Sequence, residues 1–274
     1  MSSLLERFGL EEPPTNEIPL TQVSGVHEAP TQPAPYVEDV EGGEGAVGSI
    51  PTADLTVLYE PVIELSTGNM VGFEAHARSR TPGLEDPAEL FARAVLEHRV
   101  GELGRIIREQ ALSACAGTSV FLKVHGQELK EGWLIRPDDA ICSHDAEIVL
   151  EVAQSTYSSV CRQVLAEVRS RGGISLCVDD FGAGTSNTLQ VVQLAPNHVR
   201  LDGQLVAGID SDPRRIRALQ RVVDLMSDLG ATVIAKGLST RAEVSVVHQC
   251  GVHYGQGPVL GSLGPLPRLS HPAR

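Results

Sequence analysis

The chain of 274 residues suits one large domain or two small ones, and its 42% hydrophobic content with mean hydropathy of -0.02 is that of an ordinary globular protein. No run approaches the ~18 consecutive apolar residues of a membrane helix, and the amino terminus lacks the basic segment and apolar core of a secretory signal, so the expected compartment is the cytoplasm. The formal charge of -13 is concentrated in residues 1–50, where nine acids face one base, Arg7; this disfavours DNA and anionic membranes as partners.

Pro13-Pro14, Pro30, Pro33 and Pro35 punctuate residues 1–53, followed by the acidic run Glu38-Asp39-Val40-Glu41 and by Gly42-Gly43. Such a composition buries too little apolar area to offset its ordering entropy, so 1–53 is predicted to be a disordered acidic tail. Its one apolar stretch, Ser3 to Leu10, reads as a frayed terminus. From Asp54 the pattern changes, and short apolar segments recur at 55–65, 71–78, 119–125, 146–153, 175–181, 198–202, 232–238 and 253–257. Helical segments separate most of them. Asp86-Pro87 opens one that runs through Leu96. Asp212 caps another, Pro213 suits its first turn, and Ile216, Leu219, Val222, Val223, Met226 and Leu229 form one stripe before Gly230 ends it. Eight strands alternating with helices over about 210 residues predict an α/β fold, a (β/α)8 TIM-like barrel over 54–268, with 269–274 a short tail. Two packed α/β sheets are also compatible with the pattern. Only Ser66 to Met70 join the first two strands, a hairpin length, so one strand pair is expected to be antiparallel. The five cysteines (115, 142, 161, 177 and 250) show no metal-finger spacing and read as small buried hydrophobes.

Polar residues fall at the carboxyl ends of the predicted strands, the end at which barrel sites are built: Glu74 and His76, His125, Glu151, Asp179 and Asp180, Arg200 and Asp202, Lys236, and Gln256. A single strand-end carboxylate is usually a helix cap, but seven strands doing this in series point to a site. Clustered Glu74, Glu151, Asp179 and Asp180 must bind cations, share protons or pair with basic side chains. Oxygen-rich sets of this kind suit Mg²⁺ or Mn²⁺, and two such ions activate water against a phosphodiester.

These residues carry a resemblance. Phe73-Glu74-Ala75-His76-Ala77-Arg78 is similar to the EALxR signature, and Asp179-Asp180-Phe181-Gly182-Ala183-Gly184-Thr185-Ser186 to DDFGxGxSS. Leu150 to Ser155 resembles the LEITES strand, Val199 to Asp202 the KID strand, Ala235 to Thr240 the AEGVET segment, Gln256-Gly257 the final QG, and Tyr59-Glu60-Pro61 the YQP segment. Over about residues 55–267 the chain resembles the EAL family of cyclic-di-GMP phosphodiesterases, whose motifs appear in the same order. The resemblance implies two divalent metals, a cyclic dinucleotide substrate and, through the face around the DDFG strand, a homodimer.

Carried over residue by residue, Glu74, Glu151, Asp179, Asp180 and Gln256 are the retained remnants of the catalytic set. His125 is read in place of the strand-3 asparagine, Gln154 in place of the second LEITES glutamate, Arg200 in place of the lysine, and Lys236 in place of the AEG glutamate. Lys236 is the decisive change, since a cation stands where an anion holds metal; two-metal hydrolysis is expected to be lost, leaving Glu74, His125, Glu151, Asp179 and Asp180 as a vestigial metal set. Arg78, His76, Asp202, Arg200 and Lys236 are the expected ligand-binding residues. His76 and His125 with Asp179 and Glu151 form an alternative Zn²⁺ or Fe²⁺ set, against which simple hydrogen bonding to neighbouring carboxylates is preferred. The expectation is a non-catalytic regulatory or interaction module in bacterial cyclic-di-GMP signalling, a receptor of the dinucleotide or a scaffold for a protein partner, without a cofactor. The alternative is a residual Mg²⁺- or Mn²⁺-dependent phosphodiesterase that releases linear pGpG.

Overall fold

A computed structural model describes residues 54–153, 158–183 and 188–266. The expected disorder of 1–53, the side chain of Gln154 and the tail 269–274 lie outside the described residues.

Eight strands close into a barrel in sequence order: β1 (Leu55–Glu64), β2 (Met70–Ser79), β3 (Val120–Val124), β4 (Ile148–Ala153), β5 (Ile174–Phe181), β6 (His198–Leu201), β7 (Thr232–Ala235) and β8 (Tyr254–Gly255). From β2 to β8 every neighbouring pair is parallel, whereas β1 runs antiparallel to both β2 and β8. The hairpin predicted from the short 66–70 connection is present. It produces two antiparallel pairs rather than one, because one reversed strand in a closed barrel has two neighbours. The barrel is the correct reading of the α/β pattern and the two-sheet alternative is not.

Outside the barrel lie α1 (Pro87–Leu96), α2 (Val100–Ala114), α3 (Gly126–Glu131), α4 (Ser159–Ser170), α5 (Thr188–Leu194), α6 (Gly203–Val206), α7 (Pro213–Asp228) and α8 (Arg241–Gln249). Local chemistry sets their starts. Asp86 accepts from Ala88 N before Pro87, and Asp212 accepts from Arg214 N and Arg215 N before Pro213. Thr240 and Glu243 form a reciprocal capping box at α8. On α7 the predicted stripe faces inward, with Leu219, Val223 and Met226 buried against the strands. Each such side chain contributes roughly 1.5–3 kcal/mol of burial.

Inside the barrel the period-two alternation of a strand does the positioning. Val62, Phe121, Val149, Cys177 and Ile234 form an apolar layer across it. Two residues further on, the same faces of β3, β4, β5 and β7 present Lys123, Glu151, Asp179 and Lys236 at the carboxyl end. One apolar plug thus carries one polar layer. Four cysteines are buried as expected, but Cys142 is exposed because it sits in the irregular segment between α3 and β4.

Candidate active site

The polar layer opens into a cleft of about 430 Å³ whose walls include Glu60, Glu74, His76, Arg78, Lys123, Asp179 and Lys236. The centre of the polar layer is Arg200. That side chain is 1% exposed, lies over the Phe121 ring at 5.7 Å, and divides its guanidinium between two carboxylates. Nη1 stands 2.9 Å from Glu74 Oε1 and 3.8 Å from Asp179 Oδ1, while Nη2 donates to Glu151 Oε1. The space between Glu74 and Glu151 is therefore filled by a cation of the chain itself.

Two lysines complete the arrangement. Lys236 Nζ donates to Asp180 Oδ1 and lies 3.8 Å from Asp179 Oδ1; Lys123 Nζ donates to Asp179 Oδ2 at 3.1 Å. Asp179 points inward and is buried, while Asp180 adopts a left-handed φ of 55°, rare for a residue with a side chain, and stays half-exposed at the rim. That backbone turn is why adjacent aspartates accept hydrogen bonds from different lysines. Gln256 is fully buried and donates from Nε2 to Glu74 Oε2 at 2.8 Å. It is held there by Gly257, whose φ is 141° and where any Cβ would stand 2.3 Å from Leu238 O, so only glycine fits.

The charges follow the contacts. Burial alone would raise Glu74, but Arg200, His76 and Gln256 carry its carboxyl well below the usual range. Burial likewise opposes ionisation of Asp179, and Arg200, Lys123 and Lys236 outweigh it. Glu151 is different: complete burial, with Glu74 and Asp179 adding repulsion, drives it upward against the single offset of Arg200. One guanidinium cannot neutralise two buried acids, so Glu74 is the anion and Glu151 the group pushed towards its neutral form. Burial would lower Lys236, yet Asp179 and Asp180 keep it protonated.

The structure brings Glu74, Glu151, Asp179, Asp180, Arg200, Lys236 and Gln256 together as the strand-end spacing implied. Arg78 lines the cleft, its Nη1 donating to Ala77 O at 2.8 Å. Two candidates are placed elsewhere. His125 begins α3: its Nδ1 accepts from Gln127 N at 3.2 Å and its ring stacks on Phe91. It joins no carboxylate cluster among the described residues, so the set of His76 and His125 with Asp179 and Glu151 does not assemble. The strand-3 residue that reaches the carboxylates is Lys123. Counting by two from Phe121 along β3 locates it, whereas position 125 lies beyond the strand and caps a helix. Asp202 caps α6, accepting from Gln204 N at 2.8 Å, and Gly203 is its neighbour that lines the cleft.

A closed (β/α)8 barrel with acids, amide and bases at the carboxyl ends of its strands is the layout of a barrel enzyme. Residues 49–262 match the family described as EAL domain, and the chain belongs to that family. It is 26% identical over 216 residues to cyclic di-GMP phosphodiesterase PA2567 of Pseudomonas aeruginosa, covering 73% of this chain and 37% of that protein. Among solved structures, a MucR phosphodiesterase in complex with c-di-GMP aligns with a TM-score of 0.68 at 22% identity, covering 78% of this chain and 93% of that one. A manganese and cyclic-di-GMP complex of Klebsiella pneumoniae BlrP1 aligns with a TM-score of 0.64 at 24% identity, covering 77% and 56%. The chain spans about a third of the length of the curated relatives it matches first. Among the described residues no helix is long and apolar enough to cross a membrane.

Proposed function

We propose that this EAL domain does not hydrolyse cyclic-di-GMP and acts in the cytoplasm as a regulatory or interaction module of that signalling system. The observation that carries it is the replacement of metal by side-chain cations: Arg200 between Glu74 and Glu151, Lys236 on Asp180, and Lys123 on Asp179. The residues present do not fit two divalent ions. Opposite unit charges at ~4 Å and an effective dielectric of ~20 attract by about 4 kcal/mol, and like charges repel equally. A pair of ions bridging Glu74, Glu151, Asp179 and Asp180 would meet three fixed ammonium or guanidinium groups and lose the carboxylate oxygens they already hold. Hydrolysis through a metal-activated water would need carboxylate oxygens that these cations already hold.

The cleft remains a candidate receptor. Arg78, Lys123 and Lys236 offer donors to a phosphate without metal, whereas Glu60 adds an anion at the edge and weakens a dianionic ligand. A protein partner or a second copy of the chain is the output we expect through the barrel surface. Residual metal-dependent hydrolysis is the competing reading, favoured by the convergence of Glu74, Glu151, Asp179, Asp180 and Gln256. Incubation with cyclic-di-GMP and either Mg²⁺ or Mn²⁺ separates the two: no linear dinucleotide is expected. Its formation, abolished by Glu74→Ala, overturns the proposal.

A further inference from the structure

Among the described residues, Arg200, Lys123 and Lys236 pair with Glu74, Glu151, Asp179 and Asp180, and none of them forms an ion pair with Glu60 on the β1–β2 side. Glu60 and Glu74 are direct cross-strand partners in the antiparallel register. Like charges so placed repel, and repulsion from Glu74 adds to burial in raising the Glu60 carboxyl. Among the described residues the ion-pair partner of Glu60 is the His76 imidazole, with Nε2 3.7 Å from Glu60 Oε2 and 3.5 Å from Glu74 Oε2. Both separations exceed a hydrogen bond, and this Nε2 is buried without a hydrogen-bond partner. Glu74 Oε2 also meets Gln256, a fully buried side chain whose own Oε1 has no partner.

We propose that Glu60, Glu74 and His76 form a single divalent-cation site of zinc type at the rim of the barrel. One ligand atom from each lies within 4.8 Å of the others. Ligands about 2.1 Å from a tetrahedral ion stand roughly 3.4 Å apart, close to the two measured separations. An imidazole with two carboxylates selects Zn²⁺ or a similar transition metal over Mg²⁺, which takes oxygen ligands. Arg200 holds the other oxygen of Glu74, Oε1, and so turns Oε2 towards His76, the role of an outer partner that orients a ligand. One divalent ion here offsets the charge of Glu60, with which Arg200, Lys123 and Lys236 form no ion pair among the described residues. The site uses none of Glu151, Asp179 or Asp180, and it stands whether or not hydrolysis is lost.

The test is a calorimetric titration of the metal-stripped full chain with Zn²⁺, with Co²⁺ absorption reporting the coordination. One ion per chain is expected, lost in Glu60→Gln and in His76→Ala and retained in Asp180→Asn. Melting curves without metal establish that each variant is folded, and the near-isosteric Glu60→Gln decides the matter if His76→Ala is not. Absence of saturable binding, or binding unchanged by Glu60→Gln, overturns the site. Binding lost in Asp180→Asn but kept in Glu60→Gln instead places the ion in the family's centre, which refutes this site and the proposed loss of hydrolysis together.

Discussion

Replacing Arg200 with methionine removes the one cation buried between Glu74 and Glu151 while roughly preserving volume. Two carboxylates that are 9% and 0% exposed then lose their partner. Breaking a buried ion pair by removing one member costs about 3–5 kcal/mol, and a domain of this size loses roughly 2–4 °C of Tm per kcal/mol, so a fall of about 6–20 °C is expected at pH 7. The sign of the pH dependence is a stricter check. In the wild type, Glu74 titrates below its unfolded value, so its stabilisation is present at neutral pH and lost on acidification. Without Arg200, burial raises both carboxyls, and the variant recovers stability as the pH falls through the carboxylate range. The two melting curves, followed by circular dichroism from pH 7 downward, should therefore converge. A deficit under about 1 kcal/mol at pH 7, or one that widens in acid, refutes the assignment of Arg200 as the central counter-ion.

Glu128 and Asp139 share Arg108 of α2 in a buried triad. Burial raises the Glu128 carboxyl from its usual 4.5 to about 7 against the pull of Arg108. Its contribution is thus present below about pH 4.5 and lost as pH rises through 7, roughly 3 kcal/mol in all. Urea unfolding should show wild-type stability declining between pH 5 and 8 and a flatter profile in Glu128→Gln; an equally steep profile in the variant contradicts the assignment. Combining Lys123→Asn, Arg200→Lys and Lys236→Glu removes two cations from the carboxylates and shortens the third. This triple variant is expected to bind Mn²⁺ at Glu151, Asp179 and Asp180 by titration where the wild type does not, and equal binding by both counts against exclusion by charge.

The barrel was legible because its two signals are local. Period-two apolar segments mark the strands, and Asp86-Pro87 and Asp212-Pro213 mark helix starts where the structure has them. The mouth was legible because a strand-end polar residue two places beyond an apolar one has a single direction to point. The same logic fails at strand ends that turn early. His125 lies two residues past Lys123, but β3 ends at Val124 and His125 caps α3, so the motif alignment selected a residue beyond the strand. Asp202 caps α6, a role that the sequence pattern did not separate from a ligand contact because both use the same side chain. The weight placed on Lys236 also shifts. Arg200, read as standing in place of a lysine, is the buried residue that fills the centre, while Lys236 holds a half-exposed aspartate at the rim. Length and charge could not separate these roles, because they depend on how far each side chain reaches into the barrel. The cross-strand pairing of Glu60 with Glu74 required the β1–β2 register.

The most direct test of the central account is a crystal structure of the protein grown with Mn²⁺, with anomalous scattering used to locate the metal. The account predicts Arg200 between Glu74 and Glu151, Lys236 on Asp180, and no manganese among Glu151, Asp179 and Asp180. Two manganese peaks within that cluster, with Arg200 and Lys236 displaced from their carboxylates, would contradict it.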